Sequence, residues 1–270
     1  AMRSGTTWLD WILRSHPLIY LPSPRKEIHF FDTHFERGFS WYEGFFPPQE
    51  EAARYYRMGE VTPRYLYDPA VPARIRKSLP SCKLLAILRN PVDRAYSHYG
   101  FSVRESNERR PFEEFLASYP GVFSRGLYGQ QAKRYFEHFP KEAFLFLVFE
   151  KAVAEPRRTM EAVAAFLSVD PEAFLEDTEV STRKNPSFQP RFGSFYALCR
   201  SFGRAMRRMD RDWLVNWIKR SGFKHFFETK KGLPPMKRRT RKALMSRYEE
   251  DIALLERLID EDLSLWRMPA

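Results

Sequence analysis

Residues at the start of the chain carry groups that bind phosphate. Arg3-Ser4-Gly5-Thr6-Thr7 runs into Trp8 and an apolar pattern at helical spacing. Gly5 permits a tight turn, after which backbone amides point out of a helix N-terminus that carries a partial positive charge. Arg3 adds a forked, charged donor, so we assign residues 3–8 to an anion-binding loop. The alternative interpretation is an ordinary helix N-cap at Ser4.

A second anion site is predicted after the most apolar segment. Residues 82–88 are apolar nearly throughout, as buried parallel strands are, and Arg89 stands at the carboxyl end, where α/β sheets bind ligands. Ser97 follows on a helix predicted to start at Pro91, so Arg89 and Ser97 can converge. The alternative is a helix cap with a surface arginine. Two separated anion sites predict a ligand such as a nucleoside bisphosphate.

Three ionisable side chains that could catalyse proton transfer interrupt an aromatic segment. Glu27, His29 and Asp32 lie among Ile28, Phe30 and Phe31, and on an extended chain Glu27 and His29 share one side. A carboxylate in an apolar setting has raised basicity, so Glu27 is the predicted general base, with His29 as its rival. The simplest alternative is a surface ion pair among Lys26, Glu27 and Asp32.

The composition is that of a globular protein with one strongly basic region. A chain of 270 residues with 43% hydrophobic content can bury the core of one large α/β domain, the simplest interpretation, or the cores of two small domains. The net charge is +11, and segment 200–247 alone carries 16 Lys and Arg against three acidic residues. Such a segment fits an anionic substrate, an anionic membrane surface or nucleic acid, or it forms a solvated helical face.

Cysteine use and hydropathy suggest a compartment. Cys82 and Cys199 form no redox or metal pattern, so we expect a reducing, cytoplasmic location. No run of about 18 apolar residues and no signal peptide is visible.

Phosphate loops normally follow a buried strand, and because only Ala1 precedes this loop, we expect that an N-terminal strand is missing from the sequence.

Alternating strand and helix patterns predict a parallel sheet wrapped by helices. Beyond the first loop, we predict strands over 18–21, 56–61, 82–88 and 143–149, and helices over 48–55, 68–79, 111–117, 127–139, 156–167 and 237–265, with a polar loop over 102–111. Segment 192–227 predicts two amphipathic helices. We therefore predict one domain over 1–270, with a nucleotide-binding α/β core over 1–177 and a mainly helical, basic part over 178–270.

Several motifs together resemble those of sulfotransferases that use 3′-phosphoadenosine 5′-phosphosulfate (PAPS). The motifs are Arg3–Thr7, Lys26–Asp32, Gly38–Tyr42 with Phe46-Pro47, Gly59–Tyr65, Leu88–Tyr99 and Arg125–Tyr128. The heparan-sulfate branch and its bacterial relatives are the most similar, and the likeness covers most of residues 2–175. The resemblance implies a P-loop kinase-like parallel sheet flanked by helices.

The resemblance also implies a role for each matching residue. The first loop would hold the 5′-phosphosulfate, Arg89 and Ser97 the 3′-phosphate, and Arg3 would neutralise charge on the leaving phosphate. Glu27 would be the base, with His29 and Asp32 supporting it. We place Asp32, Trp41 and Tyr65 on the acceptor side, and we expect no metal. Two departures from the family stand out: Arg3 and Val61 each replace a lysine found in many relatives.

The acceptor and the partners are the least determined features. We expect sulfuryl transfer to a hydroxyl rather than an amine, slightly favouring a carbohydrate over a lipid, a polyketide or a phenol. We expect no nucleic-acid partner, and the 200–247 segment suits peripheral membrane contact. One alternative is a P-loop small-molecule kinase, although the loop lacks the Gly-Lys-Ser/Thr ending. Another is a basic protein that binds nucleic acid or membrane surfaces on a nucleotide fold.

Overall fold

The computed structural model describes residues 1–23, 25–106, 108–174 and 233–268, which divide into two compact units. The first unit contains residues 1–91, 125–174 and 245–268. The second contains residues 92–124 and 233–244. The single domain over 1–270 stays a prediction, and the two helices predicted within 192–227 lie outside the described residues.

The elements follow one another in short segments. Up to the second strand pair they are α1 (Thr6–Ser15), β1 (Ile19–Tyr20), a π-helical turn (Phe30–His34), a 3-10 turn (Phe35–Arg37), α2 (Phe39–Glu43), α3 (Gln49–Ala52), β2 (Arg57–Met58), a 3-10 turn (Pro63–Leu66), α4 (Val71–Ser78) and β3 (Leu84–Leu88). After β3 come α5 (Pro91–Ser106), α6 (Phe112–Ser118), α7 (Pro120–Ser124), α8 (Tyr128–Phe136), a 3-10 turn (Lys141–Ala143), β4 (Phe144–Val148), α9 (Phe149–Ala154), α10 (Pro156–Leu167), a 3-10 turn (Pro171–Ala173), α11 (Arg238–Ile259) and a 3-10 turn (Ser264–Trp266).

The strands pair in parallel, as predicted. β3 and β4 run side by side from Leu84 opposite Phe144 to Leu88 opposite Val148. β1 and β2 form a shorter parallel pair, with Ile19 opposite Arg57. Parallel neighbours require a crossover between them, and helices provide it here. The predicted class, parallel strands flanked by helices, is confirmed.

Helical periodicity builds the core of the first unit. α1 buries Leu9, Ile12 and Leu13 on one face, and α10 buries Val163 and Leu167. These faces pack with the β3 and β4 residues Ile87 and Leu147. Burial of this apolar area supplies the main driving force that holds α1 against the sheet, which in turn positions the loop that precedes α1.

α11 contributes its C-terminal half to the same unit. Tyr248, Ile252 and Leu255 are buried at the predicted helical spacing. The Asp251 carboxylate accepts the backbone amides of Gly129 at 2.8 Å and Gln130 at 3.0 Å. Since these amides belong to the first turn of α8, Asp251 satisfies donors that have no intrahelical acceptor.

Some predicted boundaries were wrong. The loop predicted over 102–111 is helical as far as Ser106, because polarity there marks a helix surface, where Arg104 and the buried Glu105 form an ion pair at 2.8 Å. The helix predicted over 48–55 is the shorter α3, and the strand predicted over 56–61 is limited to β2. In each case the boundary was predicted from the local amino-acid composition, whereas the backbone hydrogen bonds decide where a helix or strand ends.

The second unit is held by polar as well as apolar contacts. Arg94 is fully buried and donates to the carbonyl of Val122. Asp93 forms an ion pair with Arg241, so the start of α11 is fastened to α5 within this unit.

The predicted membrane contact of segment 200–247 stays a prediction, since residues 200–232 lie outside the described part. Among the helices that the structure describes, none has the length and apolar character needed to span a bilayer.

Candidate active site

The first loop opens directly into α1. Gly5 has a φ of 87°, and the first helical hydrogen bond joins the Leu9 amide to the Gly5 carbonyl at 3.1 Å. The amides of Thr6, Thr7 and Trp8 therefore have no intrahelical acceptor and can bind an anion. The alternative N-cap at Ser4 is wrong, because Gly5 caps the helix without a side-chain bond and Ser4 is fully buried, its hydroxyl 3.5 Å from that of Tyr128.

Phe149 connects the two predicted anion sites. A Cβ atom added to Gly5 would overlap the ring of Phe149, so only glycine permits this approach. The guanidinium carbon of Arg89 lies 5.4 Å from the centre of the same ring. Gly5 and Arg89 thus lie near one aromatic ring, although 83 residues separate them in the sequence. The first loop and the end of β3 are therefore close to each other, whereas the predicted convergence of Arg89 with Ser97 stays a prediction.

Other candidate donor-binding residues occupy distinct places. Arg3 has a left-handed backbone with a φ of 65°, which orders the turn before Gly5. The Trp8 side chain is buried in the core, so its amide is the group that can face a donor. Ser97 lies on α5, in the second unit. The assignment of residues 3–8, Arg89 and Ser97 to donor binding stays a prediction.

Lys26 links the first loop to the predicted base. Its ammonium donates to Thr7 Oγ1 at 3.1 Å. Burial, together with the charge of Arg14, lowers the pKa of Lys26, while the nearby carboxylates of Asp10 and Glu27 oppose that effect. A half-buried cation therefore lies between the amides of α1 and the carboxylate of the adjacent Glu27.

Glu27 and His29 form a pair that a buried carboxylate completes. Glu27 Oε2 lies 3.3 Å from His29 Nε2, which confirms that the two side chains share one side. The other ring nitrogen, Nδ1, lies 2.9 Å from Asp32 Oδ2, and Arg64 Nε lies 3.4 Å from that same oxygen. The Asp32 side chain is fully buried, so its charge is compensated by His29 and Arg64.

These contacts set the protonation of His29. Burial alone would lower the pKa of His29, but hydrogen bonds and charges from Asp32 and Glu27 outweigh it and raise the pKa to about 9. Burial likewise raises the pKa of Asp32, but the His29 hydrogen bond and the charges of His29 and Arg64 leave it below the usual range. At neutral pH the pair is an imidazolium and a carboxylate.

Two expectations about this segment were wrong. Glu27 does not lie in an apolar setting, because its side chain is 41% exposed and contacts His29. The backbone at His29 is left-handed, with a φ of 59°. In this turn the Ile28 side chain is buried, whereas the adjacent Glu27 side chain is more exposed. The alternative of a surface ion pair among Lys26, Glu27 and Asp32 is also wrong for this described segment. The Asp32 side chain is buried, with His29 and Arg64 as its partners. Lys26 instead donates to Thr7.

The proposed acceptor-side aromatics differ in exposure. Trp41 is partly exposed, and the guanidinium of Arg37 lies over its ring at 4.3 Å from the centre. Tyr65 instead turns its hydroxyl inward, donating to Glu60 at 2.8 Å and accepting the Phe31 amide at 3.2 Å. The acceptor-side assignment of Asp32, Trp41 and Tyr65 stays a prediction.

Sequence reasoning missed three residues that complete the site. Lys26, Glu60 and Arg64 belong to the motifs that carry the family resemblance, and that membership was the available signal. Among the described residues, no group of three or more His, Cys, Asp and Glu side chains could hold a metal ion.

Parallel strands flanked by helices, an open helix start and a neighbouring carboxylate–histidine pair make up the site of this α/β protein. The family model described as "Sulfotransferase domain" matches residues 1–191. The chain belongs to the sulfotransferase domain family, as its motifs predicted.

Named relatives and one solved structure agree with this membership. Membrane-associated sulfotransferase kil1 of Dictyostelium discoideum is 37% identical over 114 residues, covering 42% of this chain and 24% of that protein. Heparan sulfate glucosamine 3-O-sulfotransferase 6 of Mus musculus is 31% identical over 175 residues, covering 62% of this chain and 50% of that protein. The crystal structure of a sulfotransferase from Alicyclobacillus acidocaldarius superimposes with a TM-score of 0.72 at 26% identity, covering 99% of this chain and 96% of that one. The chain thus spans a quarter to a half of these two curated relatives.

The close approach of Gly5 to Phe149 predicts a specific sensitivity. In Gly5→Ala, the left-handed backbone costs about 1–2 kcal/mol and the overlap with Phe149 adds about 1–3 kcal/mol. Gly5→Ala made in a Phe149→Ala background is the control, because it keeps the left-handed backbone of position 5 and removes the overlapping ring. In urea unfolding, Gly5→Ala should cost less stability in that background than in wild type; equal losses in both backgrounds would contradict the close packing.

The His29 contacts predict an unusual titration. In a histidine NMR titration, His29 should change charge near pH 9, and Asp32→Asn should move its pKa down toward 6.5 because the stronger partner is lost. Glu43→Gln, an exposed change on α2, is the control and should leave it in place.

The same contacts predict how stability depends on pH. Because the folded pKa exceeds 6.5, the stabilisation is complete below pH 6.5 and is lost as the pH rises through about 9. The melting temperature of wild type should therefore fall more steeply over that window than that of Asp32→Asn. Parallel curves would argue against the ion pair.

Proposed function

We propose that this chain transfers a sulfuryl group from PAPS to a carbohydrate hydroxyl, with Glu27 as the general base. The single observation that carries the proposal is the Lys26–Thr7 hydrogen bond of 3.1 Å, because it joins an anion-binding helix start to the residue next to Glu27. A donor held by the loop and an acceptor held at Glu27 would then be neighbours, and such proximity supplies much of a transfer rate.

The donor-side residues fit a sulfated nucleotide. Open amides at Thr6, Thr7 and Trp8, the guanidinium of Arg3 and the ammonium of Lys26 suit a 5′-phosphosulfate. Arg89 at the end of β3 suits a second phosphate, with Ser97 as its proposed partner. When bound, PAPS supplies the sulfuryl group, and the preorganised donors of this chain would stabilise the negative charge left on the departing phosphate.

The choice of Glu27 over His29 as base follows from protonation. With a pKa of about 9, the His29 imidazole is protonated at neutral pH and has no lone pair with which to take a proton. Glu27 carries the nearby carboxylate, and its partial exposure leaves it accessible to an acceptor hydroxyl. His29, held by Asp32, keeps the Glu27 carboxylate oriented by charge and hydrogen bonding.

The family resemblance implies a lysine at the Val61 position in many relatives, whereas here Val61 packs against the apolar core. Lys26 belongs to a family motif and so does not replace that lysine. It reaches the first loop, where its ammonium supplies positive charge beside Thr7.

A carbohydrate acceptor has two sources of support. One relative is named as acting on heparan sulfate glucosamine. In this chain, the partly exposed Trp41 ring near the site, with Arg37 at 4.3 Å, can pack on a sugar face and attract a carboxylate or sulfate. Transfer to an amine, a lipid, a polyketide or a phenol is the alternative outcome of an acceptor screen.

Calorimetry tests the donor assignment. We expect 3′,5′-adenosine bisphosphate to bind in EDTA, because amides, arginines and Lys26 neutralise it without a metal. Arg89→Ala should weaken this binding, since it removes one of the charges assigned to the 3′-phosphate. Binding of ATP with magnesium, without binding of the bisphosphate, would instead support the kinase alternative.

An acceptor screen with labelled PAPS tests the base. Glu27→Gln keeps size and polarity but cannot take the proton, so kcat should fall by roughly 10²–10⁴ while bisphosphate affinity is unchanged. Glu36→Gln makes the same chemical change at an exposed position nearby and should leave kcat at the wild-type level. If Glu27→Gln turned over at the wild-type rate, Glu27 would not be the general base, and His29 would be tested next.

A further inference from the structure

A buried carboxylate lies directly behind the Glu27–His29 pair. Glu60 follows β2 and accepts hydrogen bonds from Thr62 Oγ1 at 2.5 Å and from the Tyr65 hydroxyl at 2.8 Å. The Tyr42 hydroxyl and the Ile28 backbone amide also face this carboxylate and, with Thr62 and Tyr65, lower its pKa, although burial has the larger effect and raises it. The four polar neighbours thus favour the charged form of a carboxylate that burial penalises.

The groups bonded to Glu60 belong to the catalytic segment. Ile28, whose backbone amide faces Glu60 and lowers the pKa of that carboxyl, is the residue between Glu27 and His29. Tyr65 extends this hydrogen-bond network to the C-terminal side of His29. Its hydroxyl donates to Glu60 and accepts a hydrogen bond from the Phe31 amide at 3.2 Å. Glu60 therefore fastens the backbone on both sides of His29, directly at Ile28 and through Tyr65 at Phe31.

His29 needs such support because its backbone is strained. Its φ of 59° lies in the left-handed region, which a residue with a Cβ adopts only when its surroundings hold it there. That turn brings the ring between Glu27, at 3.3 Å from Nε2, and Asp32, at 2.9 Å from Nδ1. If the flanking amides were released, both contacts would loosen.

We propose that Glu60, acting through Ile28 and Tyr65, is the positioning residue for the Glu27–His29 pair. The proposal rests on the function proposed above for that pair. Glu60 has no role in taking the proton, since each of its oxygens already accepts a hydrogen bond, one from Thr62 and the other from Tyr65. Its role is to maintain the turn in which Glu27 faces the acceptor and His29 bridges to Asp32.

Two tyrosines provide a matched test. Tyr65→Phe and Tyr42→Phe each delete one hydroxyl that donates to Glu60, and both rings are held in the same aromatic cluster against Phe31. Only the Tyr65 hydroxyl also accepts the Phe31 amide. Tyr65→Phe should lose more thermal stability than Tyr42→Phe because it also leaves the Phe31 amide without its acceptor, so both variants are compared well below their melting temperatures. Only Tyr65→Phe should disturb the catalytic segment. Glu60→Gln, which replaces one acceptor oxygen by a donor, should have the largest effect.

The first readout does not depend on activity. The pKa of His29, measured by NMR, reports its contacts with Glu27 and Asp32. Arg64 is paired to Asp32, and His34 is a further ionisable neighbour whose pKa burial and the nearby arginines lower. Tyr65→Phe and Glu60→Gln should shift it from about 9 toward 6.5, and Tyr42→Phe should not. Equal His29 titrations in Tyr65→Phe and Tyr42→Phe would overturn the proposal.

The second readout is sulfuryl transfer. Tyr65→Phe should lower kcat by roughly 10–100-fold with unchanged affinity for 3′,5′-adenosine bisphosphate, because small misplacements of catalytic groups are costly. Tyr42→Phe should retain wild-type kcat, and a matching loss in both variants would indicate general destabilisation and overturn the proposal. If wild type transfers sulfuryl to no acceptor, the proposed function fails, while the His29 titration still decides the positioning role.

Discussion

The site depends on the burial of one carboxylate, that of Asp32. A fully buried aspartate requires compensating charge, and it obtains it from His29 at 2.9 Å and Arg64 at 3.4 Å. The consequence is an imidazolium that cannot act as a base but can orient Glu27. Removing the charge of Asp32 would therefore change the protonation of His29 as well as its position.

A second constraint, the contact of Gly5 with Phe149, organises the donor side. The missing side chain at Gly5 permits the first loop to approach the residue that begins α9, directly after β4. Arg89, at the end of the neighbouring β3, lies by the same ring. The parallel register of β3 and β4 thus determines where both predicted anion-binding groups lie.

Much of the architecture could be predicted from local pattern. The apolar runs of β3 and β4, the amphipathic faces of α1, α10 and α11, and the glycine turn before α1 each depend on neighbours close in sequence. Prediction failed where polarity was taken for a loop at 102–106 and where an aromatic neighbourhood was taken to bury Glu27. The direction of a side chain depends on the backbone, and nothing local indicated a left-handed His29.

The sequence by itself determined the family, the parallel fold class and the residues at the first loop, because these are written in contiguous motifs. The tertiary structure alone decided which of those residues meet. Asp32 reaches Arg64, Lys26 reaches Thr7, and Glu60 reaches Ile28, each across a separation that no local periodicity describes. The protonation states of the ionisable side chains depend on these contacts, because burial and the distance to a charged partner decide whether a group is neutral or charged. For that reason the protonation of His29 belongs to the folded protein.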